Sequence, residues 1–179
     1  MTHKTKRIVR MAAIAALYAA VTYAAYPISY GGVQFRLSEA LLILAAFSAE
    51  AVPGLAIGCV IANLGSPAGL ADVVIGSAAT LAAALVIRLL SRRKQPLFLL
   101  CAEAALAAAL LNGAAVGAEI VLFTAPDGAG LTAFWAAALW IALGEAAVCG
   151  ILCYPLARLI RANRPLSRFF ITEKERERL

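Results

Sequence analysis

Apolar stretches of helical length recur along the chain and are broken by short charged clusters: 8–26, 37–51, 53–65, 72–90, 97–123 and 131–160. A membrane-crossing helix needs about 20 mainly apolar residues, so a chain of 179 residues holds about six once tails and turns are set aside. The second and third stretches are short. At about 1.5 Å per residue neither alone comfortably crosses a hydrocarbon core of about 30 Å. Pro53 and Gly54 part them, which leaves two patterns open: a short hairpin, or one kinked helix over 37–65.

Charge arbitrates between the two. Lys and Arg collect in cytoplasmic connections. With six spans and both termini inside, Lys4, Lys6, Arg7 and Arg10, then Arg88, Arg92, Arg93 and Lys94, then the seven basic residues from Arg158 to Arg178 all face the cytoplasm. That is 15 of 16 basic residues, with Arg36 the exception. Merging 37–65 would send two of these clusters outside, so the hairpin is preferred. Composition agrees with burial in lipid, at 63% hydrophobic residues and a mean hydropathy of +0.87. The basic, then apolar, N-terminus resembles a signal peptide. Small residues nevertheless continue to Ala25 without a clear cleavage site, so it reads as the first span. The expected fold is an all-α integral membrane protein of the cell membrane. Its six transmembrane helices form a substrate-binding domain over 1–162, followed by a charged cytoplasmic tail over 163–179.

Acidic and amide groups inside apolar spans are costly and usually face a cavity or a partner. Here they are Glu39, Asn63, Asp72, Glu103, Asn112, Glu119 and Glu145, most of them in the outer half. Asp72 opens a span, where its carboxylate either caps the helix or lines a pocket. Gln34, Arg36, Ser38 and Glu39 put donors and acceptors within one turn of each other at the mouth of the second span. An Arg36–Glu39 pair at i, i+3 plus separate interhelical hydrogen bonds explains each residue singly but not their gathering on one side. A pocket facing outward, with more acid than base, explains both. It suits a small polar ligand carrying a cation and several hydrogen-bonding edges.

Span one carries another signal. Ala12, Ala16, Ala20 and Ala24 recur every four residues, with Ala15 and Ala19 alongside. A face reduced to methyl groups lets another helix approach closely. Gly54 with Gly58, and Gly113 with Gly117, repeat the small-xxx-small spacing. The four cysteines, Cys59, Cys101, Cys149 and Cys153, lie within spans without paired loop spacing, as buried thiols do. There is no GxxxxGK[ST] phosphate loop and no HExxH pair, and the lone histidine, His3, is in the N-terminal tail. The residues thus point to no metal site, no cofactor and no enzyme activity.

The first helix, the six-span pattern and the stretches "VQFRLSEALLILAAF", "VPGLAIGCVIANLGSP" and "LADVVIGSAATLAAALVIRLL" together resemble the QueT family over residues 10–160. These are the queuosine-precursor substrate-binding (S) components of energy-coupling factor transporters. The resemblance implies capture of a deazaguanine, its aminomethyl form included, from outside the cell. Uptake would be driven by a transmembrane coupling protein and two ATPase subunits. It also implies that Ala12, Ala16 and Ala20 dock on the coupling protein, although Ala15 and Ala19 share the spacing. Gln34, Arg36, Glu39, Asn63, Asp72, Glu119 and Glu145 are the expected substrate-binding residues. Among them, Gln34 offers an amide that both donates and accepts. Arg36 offers a guanidinium that binds a ring carbonyl in two directions or stacks on the ring, and Glu39 offers an acceptor for amino groups. The rival reading is a self-sufficient proton-coupled transporter in which Glu119 and Glu145 relay protons, but no inverted repeat is evident.

Overall fold

The computed structural model describes residues 2–30, 35–124 and 130–176. Every regular element among them is helical. Helix α1 (His3–Ala24) starts where the Thr2 hydroxyl accepts from the Thr5 N–H at 3.3 Å, and the short α2 (Tyr26–Ser29) follows. A 3₁₀ helix, Leu37–Ile43, runs into α3 (Leu44–Phe47). Then come α4 (Ala51–Asn63), α5 (Leu70–Leu90), α6 (Leu97–Glu119), which ends in a π turn over Ile120–Thr124, and the long α7 (Leu131–Ala162). Two short helices, α8 (Arg164–Phe170) and α9 (Glu173–Arg176), are the last described elements.

Among the described residues, four helical stretches are long and apolar enough to cross a membrane: Lys4–Ala24, Leu70–Leu90, Leu97–Phe123 and Leu131–Ala162. Between them sit the two short apolar helices that the sequence separates, Leu37–Phe47 and Ala51–Asn63. From Ser38 to Phe47 every residue is buried, so this segment forms the centre of the bundle. Its 3₁₀ half gains length: seven residues reach about 14 Å at roughly 2.0 Å each, where an α-helix would reach about 10 Å.

The break between these helices is not at Pro53 and Gly54, as the sequence suggests, but at Ser48, whose backbone is extended at φ −153°, ψ 143°. Pro53 lies in the first turn of α4, where its missing N–H costs nothing. Gly54 and Gly58 instead serve packing. A Cβ on Gly54 would lie 2.9 Å from the Met11 carbonyl oxygen, and one on Gly58 would lie 2.7 Å from the Tyr18 Cβ. Glycine at both positions therefore lets α4 run in close contact with α1, since dispersion rather than solvent exclusion drives helix association in lipid. Gly113 and Gly117 do the same for α6 against Ala138 and Ala142 of α7.

Backbone groups at the helix ends find partners across the bundle. The Tyr23, Tyr26 and Tyr30 hydroxyls donate to the carbonyls of Ile61, Gly65 and Ala62 at 2.8, 2.9 and 2.7 Å, satisfying acceptors at the C-terminal end of α4. At the opposite end Glu50 bridges Arg7 at 3.0 Å and Arg10 at 3.4 Å. There the Arg88 guanidinium donates to Glu175 at 2.7 Å, and the Thr172 N–H donates to the Phe47 carbonyl at 3.2 Å. Both ends of the described chain therefore meet at one end of the bundle. Residues 163–176 pack on the bundle: Ile171 belongs to the core and the Glu175 side chain is buried.

Candidate functional site

The polar residues inside the bundle gather toward the end away from the termini, and helical spacing explains how. On α5, Asp72, Gly76 and Thr80 recur every four residues; on α4, Cys59 and Asn63; on α1, Tyr18 and Thr22. Each set lies on one face of its helix. The three faces converge on the 3₁₀ segment.

Arg36 immediately precedes that segment with φ −83°, ψ 87°. Lying outside the helix, its side chain turns into the bundle and is 3% exposed. The guanidinium donates from Nη2 to Asp72 Oδ2 at 3.4 Å and from Nη1 to Cys59 Sγ at 3.9 Å, and lies 5.5 Å from the centre of the Tyr30 ring. Burial pushes the Tyr30 phenol up to about 12, so it remains a donor to Ala62 at neutral pH. The i, i+3 pair of Arg36 with Glu39 does not form. Asp72, at the third position of α5, does not cap its helix either; Gly69 holds the cap position and Asp72 faces Arg36. Gly76 leaves room for this: a Cβ there would lie 2.9 Å from Asn63 Nδ2 and would overlap the Asp72 carboxylate.

Glu39 is fully buried and held on both oxygens. The Tyr18 hydroxyl and the Thr80 hydroxyl, at 3.0 Å, donate to Oε1, and Asn112 Nδ2 donates to Oε2 at 3.4 Å. With the Thr80 proton committed to Glu39, the Cys59 thiol is the donor in its 3.4 Å contact with Thr80 Oγ1. Cys59 Sγ in turn accepts from Arg36 and from Asn63 Nδ2 at 3.4 Å. Asn63 Nδ2 also donates to the Asp72 carbonyl at 2.8 Å. Ser38 Oγ lies 2.7 Å from Thr22 Oγ1, whose own proton goes to the Tyr18 carbonyl. One connected network thus runs from Asp72 through Arg36, Cys59 and Thr80 to Glu39.

The network is incomplete at five of the residues selected from sequence. Arg36 Nε, Asn63 Oδ1, Asp72 Oδ1, Glu119 Oε2 and Glu145 Oε2 are buried and have no hydrogen-bond partner among the described residues. Unmatched groups of this kind cost about 1–3 kcal/mol each. Glu119, closing α6, lies within electrostatic range of Asp72 and Arg36, and Glu145 on α7 within range of Glu39 and Arg36. The orphaned set is one donor and four acceptors around a guanidinium, an arrangement matched by a ligand rich in N–H groups that also carries a carbonyl.

Gln34 lies outside the described residues. Glu103 is remote from the cluster and accepts from Gln95 at 2.8 Å. Tyr18, Thr22, Tyr30, Cys59 and Thr80 are network members that reading for charged and amide residues passes over; Cys59, four residues before Asn63, and Thr80, eight after Asp72, could have been found by helical spacing, whereas Tyr18, Thr22 and Tyr30 carry no such signal. On α1, Ala12, Ala16 and Ala20 are exposed, whereas Ala15 and Ala19 are buried.

The chain is similar in part to the queuosine precursor transporter QueT of Lactococcus lactis subsp. cremoris (strain MG1363). The two are 41% identical over 80 residues, which is 44% of this chain and 47% of the relative, so the match spans about half that relative's length. No solved structure matches the chain. The family model described as QueT transporter matches residues 8–162, nearly all of the helical bundle and every described member of the polar network. This multi-pass membrane protein belongs to the QueT transporter family.

Proposed function

We propose that the protein is the substrate-capture (S) component of an energy-coupling factor importer and binds a queuosine precursor, a deazaguanine, at the polar cluster. The observation that carries this reading is the set of orphaned buried atoms. A deazaguanine presents an exocyclic amine, ring N–H groups and one carbonyl. Asn63 Oδ1 and Asp72 Oδ1 suit the N–H groups, and Arg36 Nε suits the carbonyl. Glu119 and Glu145 suit a cationic aminomethyl tail, where a charge-assisted bond in a dry site is strong. Gln34, which lies outside the described residues, is retained as a ligand contact from the sequence alone. Glu39 belongs to the site as well. Its carboxylate already accepts three hydrogen bonds, which gives it the role of holding the helices that carry the ligand contacts.

In this reading Leu37–Phe47 and Ala51–Asn63 are the second and third of six crossings, both termini are cytoplasmic, and the site opens outward. The basic end of the bundle supports that orientation. A transmembrane coupling protein and two ATPase subunits drive uptake, docked through the exposed face of Ala12, Ala16 and Ala20. The test has two arms. Mass spectrometry of the detergent-purified protein is expected to find a retained deazaguanine, and vesicles are expected to accumulate it only when the coupling protein and ATPases are present. Uptake by the chain alone, responsive to a proton gradient, overturns the S-component assignment in favour of a secondary transporter. Retention of no heterocycle after purification from precursor-fed cells overturns the ligand.

A further inference from the structure

The basic end of the bundle contains a cavity of about 600 Å³ formed where the start of α1 meets α8. Its lining holds four cations, Lys6, Arg10, Arg164 and Arg168, and no carboxylate, with Val9 and Phe169 as its apolar wall. Lys6 and Arg10 are four residues apart and share a helix face with Val9 between them. Arg10 is fixed: it donates to the Phe169 carbonyl and pairs with Glu50 at 3.4 Å on its other side. Lys6, Arg164 and Arg168 form no ion pair with the described residues, although a second cavity nearby does hold Glu50 and Glu173. With Glu50 committed to Arg7 and Arg10, these three cations raise the local potential and favour an anion.

Depth and surroundings select the anion. The cavity sits where α1 passes from its basic start into its apolar length; Val9 and Phe169, which line it, are exposed, and so is Leu17, eight residues beyond Val9 on the same side of α1. A free phosphate would use the cations alone. A phospholipid uses both features, its phosphate among the cations and its chains along the apolar face, and basic pockets at such a depth are suited to anionic headgroups.

We propose that this cavity is a binding site for the phosphate headgroup of an anionic membrane lipid. It is separate from the polar cluster at the other end of the bundle and does not depend on which substrate is carried. The full chain, delipidated in neutral detergent, is titrated with phosphatidylglycerol and, in parallel, with phosphatidylcholine of the same acyl chains, and bound copies are counted by native mass spectrometry. Phosphatidylglycerol is expected to bind preferentially. The double substitution Arg164→Gln/Arg168→Gln is expected to weaken it roughly thirtyfold, from the removal of two cations near the headgroup. Both residues are exposed, so the helical content of this variant, read by circular dichroism, should match the parent; Lys6→Gln gives an independent variant, and Arg164→Lys/Arg168→Lys should retain the lipid. Equal retention of the two lipids overturns the proposal. So does an equal loss in Arg92→Gln/Arg93→Gln, which would report the general charge of this end, or displacement of the lipid by millimolar inorganic phosphate.

Discussion

Arg36 makes two directional contacts and leaves Nε unmatched, which separates what holds it from what it offers. Arg36→Lys keeps the charge but loses the planar fork, and Asp72→Asn keeps the shape but loses the anion. Each is expected to weaken deazaguanine binding about tenfold to a hundredfold while the helical content stays intact, measured by calorimetric titration. Unchanged affinity in both would place the ligand elsewhere. Glu39 is expected to behave differently. In Glu39→Gln the amide nitrogen must face one of three donors, so the side chain conflicts with the network that surrounds it. The expected result is a fall in stability of about 1–3 kcal/mol, seen as a lower thermal midpoint in detergent.

At the scale of the elements, α1 has a buried face and an exposed one. The inner one carries Ala15 and Tyr18 against Gly58, where a Cβ would lie 2.8 Å from the Ala15 carbonyl oxygen and 2.7 Å from the Tyr18 Cβ. The obstacle includes backbone, so Gly58→Val must part α1 from α4 and displace Tyr18 from Glu39. A loss of roughly 1–3 kcal/mol in stability is expected, together with weaker ligand binding. Gly150→Ala is the control: nothing lies within 4 Å of its Cβ position, and a mid-helix alanine should be neutral or stabilising by up to about 1 kcal/mol. The outer face carries Ala12, Ala16 and Ala20. Ala16→Trp is expected to leave ligand affinity within about twofold of the parent, because the residue touches no part of the network, and to abolish copurification of the coupling protein. Equal loss of both would show that this face serves the bundle itself.

For the whole molecule, the segment after 162 ties the basic end together. Ile171 fills the core beneath it, Thr172 bonds Phe47 at the end of α3, and Glu175 pairs with Arg88 of α5. Truncation after Ala162 removes all three at once and exposes a buried apolar surface. The thermal midpoint is expected to fall by several degrees while deazaguanine affinity is retained, since the site lies at the far end of the bundle. Loss of binding in a folded truncated protein would show that the two ends are coupled.

Hydropathy determined the helical class, because a bilayer imposes one length and one polarity on whatever crosses it, and the distribution of basic residues favoured two short helices over one kinked helix between 37 and 65. Hydropathy also singled out Glu39, Asn63, Asp72, Glu119 and Glu145, which the fold buries, since a carboxylate or amide in an apolar helix is conspicuous by cost alone. Partnership was decided only in three dimensions. Arg36 stands three residues from Glu39 and thirty-six from Asp72, yet it pairs with Asp72 because its backbone lies outside the 3₁₀ helix and directs the side chain across the bundle. The break at Ser48 rather than Pro53 was likewise not legible, since a proline in a first turn and a proline between helices look alike until the chain direction is known. The alanine register was undecidable from a spacing that Ala12, Ala16 and Ala20 share with Ala15 and Ala19. Packing distinguishes the two faces: the close approach of Gly54 and Gly58 covers that of Ala15 and leaves that of Ala16, the face proposed for docking, exposed.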